Sequence, residues 1–147
     1  MDSQKNSTTI DTIAQKCIAV RLRLLNRVIT NVYDDALRPF GAKVSQFNIL
    51  IVAAKLGLAR PAQVCDILQL DTSTLSRNVE RMRAQGWLEI VPAEDARAQP
   101  FRLTAKGKRL LERAVPAWEK AQEKAGQLLG EEGVALLAKT TRKLGMP

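Results

Sequence analysis

Ser73, Thr74, Ser76, Arg77 and Arg81 lie close together in the chain, and their types suit hydrogen bonding to a nucleic-acid groove. Hydroxyls bond base edges or phosphates, and a guanidinium matches the O6/N7 edge of guanine with two parallel bonds. Arg77 and Arg81, four residues apart, repeat that fork one helical turn on. In the same stretch Leu75, Val79 and Met82 recur at i, i+4 and i+7, an apolar stripe that predicts a helix from Thr72 to Gln85 anchored by its far face. Asp71 or Thr72 supplies the N-cap, and the helix N-terminus adds its own attraction for phosphate. Such a charged face is about as often merely solvated, so the neighbouring elements decide its meaning.

Pro61 sits where proline is tolerated, at the first position of a helix running to about Leu68, with Val64, Ile67 and Leu68 spaced to pack inward. Gln69, Leu70 and Asp71 form the short turn of a helix-turn-helix. After Gly86, read as the C-cap, Trp87 to Val91 reads as a strand and Phe101 to Thr104 as its return. The tip between them, Ala93 to Gln99, carries Asp95 and Arg97. An arginine there can enter an adjacent minor groove, where narrow A·T tracts concentrate negative potential. The plainer alternative is a surface Arg97 paired with Asp95. The fold class is therefore mainly α with a small β-hairpin: a winged helix-turn-helix lobe, expected over 41–104.

Taken in order, Ser45-Gln46-Phe47-Asn48-Ile49-Leu50, Pro61-Ala62-Gln63-Val64, Leu70-Asp71-Thr72-Ser73-Thr74-Leu75-Ser76-Arg77, Gly86-Trp87-Leu88, Asp95-Ala96-Arg97 and Leu103-Thr104-Ala105-Lys106-Gly107 resemble the MarR family of bacterial transcriptional regulators. The resemblance covers the chain from about Asp11 onward. It implies a cytoplasmic, nucleoid-associated homodimer, a repressor rather than an activator, that binds an inverted-repeat operator in double-stranded DNA. A small molecule or oxidation would release it. Carried onto this sequence, Ser73, Thr74, Ser76, Arg77 and Arg81 are the reading residues and Arg97 the wing contact, positioned by Asp95. Two departures stand out. Arg60 occupies the position before Pro61 where many members have a hydroxyl; it is a poor cap, unfavourable near a positive helix end, and is a candidate phosphate contact instead. The wing has Ala98, Gln99 and Pro100 where a further arginine often follows, which weakens its expected grip.

Composition agrees. The net charge of +8 and pI of 9.9 favour a polyanionic partner and a steep salt dependence. An aromatic content of 4% argues against a stacking platform for single strands. Neither a leader peptide nor a bilayer-length apolar run is read. The absence of histidine leaves Cys17 and Cys65 without a catalytic base and excludes the usual zinc or manganese sensor, so neither an enzyme nor a metal or other cofactor is expected. The competing classes are a sequence-independent architectural DNA binder and an interaction module that has lost DNA binding.

Two further regions are assigned to dimerisation. After a flexible tail over 1–10, one helix is expected from Asp11 to about Leu37, within a dimerisation segment 11–40. Its apolar band, including Cys17, Ile18, Leu24, Leu25, Val28, Ile29, Val32 and Ala36, is wide enough to face both its own subunit and a partner. The C-terminal segment 105–147 is expected as a helix to Leu129, bent at Pro116, and a second helix after Gly130. A monomer that buries these faces internally is the alternative. Cys17 and Arg21 are four apart, so the cation could activate the thiol towards oxidants; equally, Cys17 is a small core residue and Arg21 an ion-pair partner. The other effector reading is an apolar or phenolic ligand in a crevice lined by Arg21, Tyr33, Phe47 or Trp118, each of which is also plausible as core.

Overall fold

The computed structural model describes residues 2–95 and 98–145, with side chains from residue 8. Six α-helices, one 3-10 turn and one two-stranded antiparallel sheet make up these residues. The helices are α1 (Asp2–Lys16), α2 (Ile18–Leu37), α3 (Val44–Leu56), α4 (Pro61–Leu68), α5 (Thr72–Ala84) and α6 (Ala105–Lys143), and the strands are β1 (Leu88–Ile90) and β2 (Phe101–Leu103).

One buried cluster organises the lobe. Ile49 and Leu50 of α3, Val64 of α4, Leu75, Val79 and Met82 of α5, and Phe101 of β2 meet there, so the stripe read on α5 is its anchor. Leu68 packs half-buried against it, and Ile67 is half-buried on the same helix. The sheet pairs Leu88 with Leu103, Glu89 with Arg102 and Ile90 with Phe101. Ala59 adds a bridge to Phe101, its N–H donating at 2.8 Å and its carbonyl accepting at 2.9 Å, which fastens the wing to the α3–α4 connection.

The end of α5 follows from its residues. Gln85 is the C-cap and Gly86, with φ of 75°, the residue beyond it. Gly86 N–H donates to Arg83 O and Trp87 N–H to Met82 O, a Schellman pair that satisfies the last carbonyls and turns the chain into β1. Gly86 is thus one position past the cap that the sequence assigns to it.

The N-terminal helix differs from expectation. Helix α1 begins at Asp2, inside the segment read as a tail, and the single helix expected from Asp11 is divided at Cys17, whose ψ of 110° is extended. β-branched Ile13, Ile18 and Val20 flank the break and lower helix propensity around it. The Arg21 guanidinium donates to Gln15 O, covering a carbonyl that the interruption leaves open. Farther on, Ile29, Val32 and Ala36 of α2 are half-buried, and α2 packs along α6. The break in the C-terminal helix lies where the sequence places it: Gly130 has non-helical angles (φ 70°, ψ 166°), while Pro116 is carried within helical backbone.

Helix α3 is held at its start by two side chains. Val44 N–H donates to the Asp34 carboxylate of α2 at 2.8 Å, and Lys43 N–H donates to Gln46 Oε1 at 3.1 Å. These bonds satisfy orphan amides and tie α2 to the lobe.

Candidate nucleic-acid interface

The interface is built on the first turn of α5. Asp71 is its N-cap, extended at φ −75° and ψ 154°. Its Oδ1 accepts from Ser73 Oγ at 2.6 Å and from Thr74 N–H at 2.7 Å, and its Oδ2 accepts from Thr74 Oγ1 at 2.7 Å. The Ser73 hydroxyl, followed by the Thr74 hydroxyl and amide, holds the Asp71 carboxyl well below the usual carboxylate range. Arg77 Nη2 in turn donates to Thr74 Oγ1 at 3.3 Å. The sequence left the cap open between Asp71 and Thr72 and read the hydroxyls separately from it; the structure assigns the cap to Asp71 and connects the two. The Asp-x-Ser-Thr spacing was the signal for that connection, because short hydroxyls two and three residues past an N-cap can fold back on it.

Along the same helix, Ser73, Ser76, Arg77 and Arg81 are exposed and Thr74 is half-buried. Among the described residues, Arg77 and Arg81 form no ion pair, whereas Arg83 pairs with Glu80 at 2.9 Å. Ser76 also lines a cavity of about 170 Å³ between α5, Pro61 at the start of α4, and Ile90, Gln99 and Phe101 of the wing.

Arg60 is the extended N-cap residue of α4, exposed and without a side-chain cap bond, as expected of a poor cap. On the wing, Arg102 of β2 pairs with Glu89 of β1, a cross-strand pair that the sequence reading did not identify. Asp95 is exposed, and its carbonyl accepts from Ala98 N–H at 3.0 Å. Arg97, assigned to the wing contact, lies outside the described residues.

Of the effector candidates, Cys17 and Arg21 adjoin at the start of α2, where Arg21 N–H donates to Cys17 O at 3.3 Å while the Arg21 guanidinium turns to Gln15 O. Cys17 is half-buried at the α1–α2 junction and Arg21 is exposed. Tyr33 lies sixteen residues beyond Cys17, about 24 Å along a helix axis. Its hydroxyl donates to Gln122 Oε1 of α6, and partial burial raises its pKa above the usual value. Phe47 is buried in the core cluster, while Trp118 is partly exposed on α6. Among the described residues no group of three potential metal ligands occurs, and no helix is long and apolar enough to cross a membrane.

Comparison with known proteins agrees with this geometry. The MarR family model matches residues 40–98, from the end of the 3-10 turn through β1 and into the loop before β2. An HTH-type transcriptional regulator of Bacillus subtilis, YwoH, is 26% identical over 86 residues, 58% of this chain and 63% of that protein; the chain thus spans a little under two thirds of its length. The M. tuberculosis transcriptional regulator MosR, solved in complex with DNA, is 30% identical, with 88% of this chain and 98% of that chain covered and a TM-score of 0.72. A mutant MarR from E. coli complexed with operator DNA has the same fold at 20% identity, with 90% and 96% coverage and a TM-score of 0.78. The chain belongs to the MarR family of transcriptional regulators.

Proposed function

We propose that the chain is a homodimeric repressor that reads an inverted-repeat operator in double-stranded DNA, and that a small apolar or phenolic ligand, or oxidation, releases it. The observation that carries this reading is the outer face of α5. Arg77 and Arg81 stand one turn apart, exposed and without an ion pair among the described residues, on a helix whose other face is locked into the core. No carboxylate must be displaced before either guanidinium meets guanine or phosphate. Ser73, Thr74 and Ser76 flank them, Arg60 reaches the phosphate backbone from the start of α4, and Arg97, positioned by Asp95, serves the minor groove. The net charge of +8 and the DNA held by the M. tuberculosis and E. coli relatives support the same partner.

The exposed apolar residues support a dimer. Ile10, Ile13, Ile18 and Leu24 near one end of the chain and Leu128 and Leu136 near the other are all more than half exposed. A surface of this kind is covered when two copies meet about a twofold axis. Segments 11–40 and 105–147 form the dimer contact, and 41–104 is the reading lobe. The protein acts in the cytoplasm on nucleoid DNA. Cys17 and Arg21 sit in the dimer segment and Tyr33 joins α2 to α6, so an effector at either place changes the spacing of the two lobes. Differential affinity for the two arrangements is all that release requires.

Selection of bound sequences from a random duplex pool tests the reading, repeated after peroxide and after thiol reductant. The expected result is an inverted repeat with half-sites about one helical turn apart. Its loss under peroxide in wild type but not in Cys17→Ser assigns release to Cys17, since Cys65 is a second free thiol. Arg77→Ala abolishes the enrichment while leaving the dimer intact; a variant that binds the repeat as tightly as wild type refutes the assigned face. Failure to enrich any motif at low and moderate salt makes sequence-independent binding the better account.

A further inference from the structure

We infer that Asp71 fixes the hydrogen-bond polarity of the reading helix, so that Ser73 and Thr74 face the groove as acceptors only and select adenine or cytosine on the strand they meet. This rests on the proposed reading of operator DNA by α5 and specifies what its first turn recognises.

A carboxylate has no proton to give, so any hydroxyl bonded to it must be the donor. Ser73 and Thr74 each possess one hydroxyl proton, and both are directed at Asp71, at 2.6 and 2.7 Å. Asp71 stays ionised because these bonds, with the Thr74 amide, stabilise its charged form. Thr74 Oγ1 also accepts a hydrogen bond from Arg77 Nη2 at 3.3 Å, which leaves it about one lone pair to offer. Ser73 Oγ retains its lone pairs and is exposed.

Phosphate oxygens, guanine O6 and N7 and thymine O4 are acceptors and have nothing to donate to these oxygens. Adenine N6 and cytosine N4 are the major-groove donors that match. The two hydroxyls therefore contribute base selection rather than phosphate binding. Asp71 acts through the two hydroxyls as a positioning residue, and through Thr74 it also restrains Arg77, whose other N–H groups remain available.

Asp71→Asn tests this polarity. The variant retains an amide oxygen to accept from Thr74 N–H and Ser73, and asparagine is as good a cap as aspartate. Its amide nitrogen, which only donates, replaces the oxygen facing Thr74 Oγ1, so the Thr74 proton turns outward. Sequence selection with wild type, Asp71→Asn and Ser73→Ala reads the consequence. In the wild-type motif, adenine or cytosine is preferred about tenfold at a position in each half-site. Asp71→Asn converts the preference opposite Thr74 to guanine or thymine, and Ser73→Ala flattens the one opposite Ser73. Preferences are compared within each protein, because loss of a carboxylate beside DNA raises overall affinity. An unchanged wild-type motif in both variants overturns the inference and leaves the operator reading standing. A wild-type chain that enriches no motif overturns both. If Asp71→Asn does not fold, Ser73→Ala decides the matter by itself: an unaltered motif refutes the assignment.

Discussion

The carbonyl of Trp87, at the start of the wing, lies against the backbone of Gly107 in the first turn of α6. A Cβ on Gly107 would fall well inside van der Waals contact with that oxygen and within 3.1 Å of Leu103 Cδ1. The contact cannot relax by side-chain rotation, because the obstacle is backbone that also accepts from Thr104 N–H at 3.0 Å. The Thr104 hydroxyl bonds both sides of the junction, donating to Gly86 O at 2.6 Å and accepting from Gly107 N–H at 3.0 Å.

Gly107→Ala is accordingly expected to destabilise the fold by about 3 kcal/mol, the upper part of the overpacking range. Urea unfolding checks this: the midpoint should fall with little change in slope. A midpoint equal to wild type would mean that α6 can move away from the wing without loss.

The helix-turn-helix turn contains a strained residue. Gln69 has φ of 52° and ψ of 46°, a left-handed conformation that glycine adopts without a Cβ penalty. Its side chain offsets part of the cost by donating from Nε2 to Asp66 O at 2.7 Å. Gln69→Ala loses that bond and keeps the strain, whereas Gln69→Gly loses both. The glycine variant should exceed the alanine variant in stability by about 1 kcal/mol. Equal midpoints in urea would show that the turn is not strained.

Legibility in the sequence followed the strength of the periodic signal. Leu75, Val79 and Met82 marked α5 because one apolar face alternates with a polar one, and all three are buried. Pro61 marked the start of α4 and Gly130 the break in α6, since each residue restricts the backbone in its own way. Helix α3 went unread as an element. Phe47, Ile49, Leu50 and Ala53 are buried while Ile51 between them is exposed, so the helix is apolar nearly all round and carries little amphipathic pattern. The Asp34 bond to Val44 and the Ala59 bridge to Phe101 join residues distant in the chain and leave no local signature. In the candidate site the residue types were legible and their connections were not. Ser73, Thr74 and Arg77 were read as parallel contacts, whereas two of their protons belong to Asp71 and one links Arg77 to Thr74.

Acid stability should report the Asp71 network. The carboxyl is held below its ordinary range in the folded chain by bonds from Ser73 and Thr74. Its contribution is therefore complete above the unfolded value, about 4, and is lost as pH falls towards the folded value. Wild type should lose stability more steeply below about pH 4 than Asp71→Asn, which has no carboxyl to protonate there. Denaturant unfolding at a series of acid pH values supplies the comparison, and parallel curves would mean that the cap bonds do not form in solution.

Tyr33 is the single tyrosine of the chain, so its ionisation can be followed by tyrosinate absorbance without interference from another phenol. Partial burial raises its pKa, and its hydroxyl donates to Gln122 across the α2–α6 contact. Both features favour the protonated phenol in the folded state. The stability they give is fully present below the unfolded value, about 10, and is lost as pH rises through the higher folded value. The midpoint of the folded protein should lie above that of the urea-unfolded chain, and Gln122→Ala should bring it back part of the way by removing the acceptor. Tyr33→Phe should weaken the alkaline loss of stability while leaving the acid limb unchanged. Coincident midpoints for folded and unfolded chains would place the phenol in water and detach α2 from α6 at this level, which would remove Tyr33 as the link through which an effector could shift the lobes.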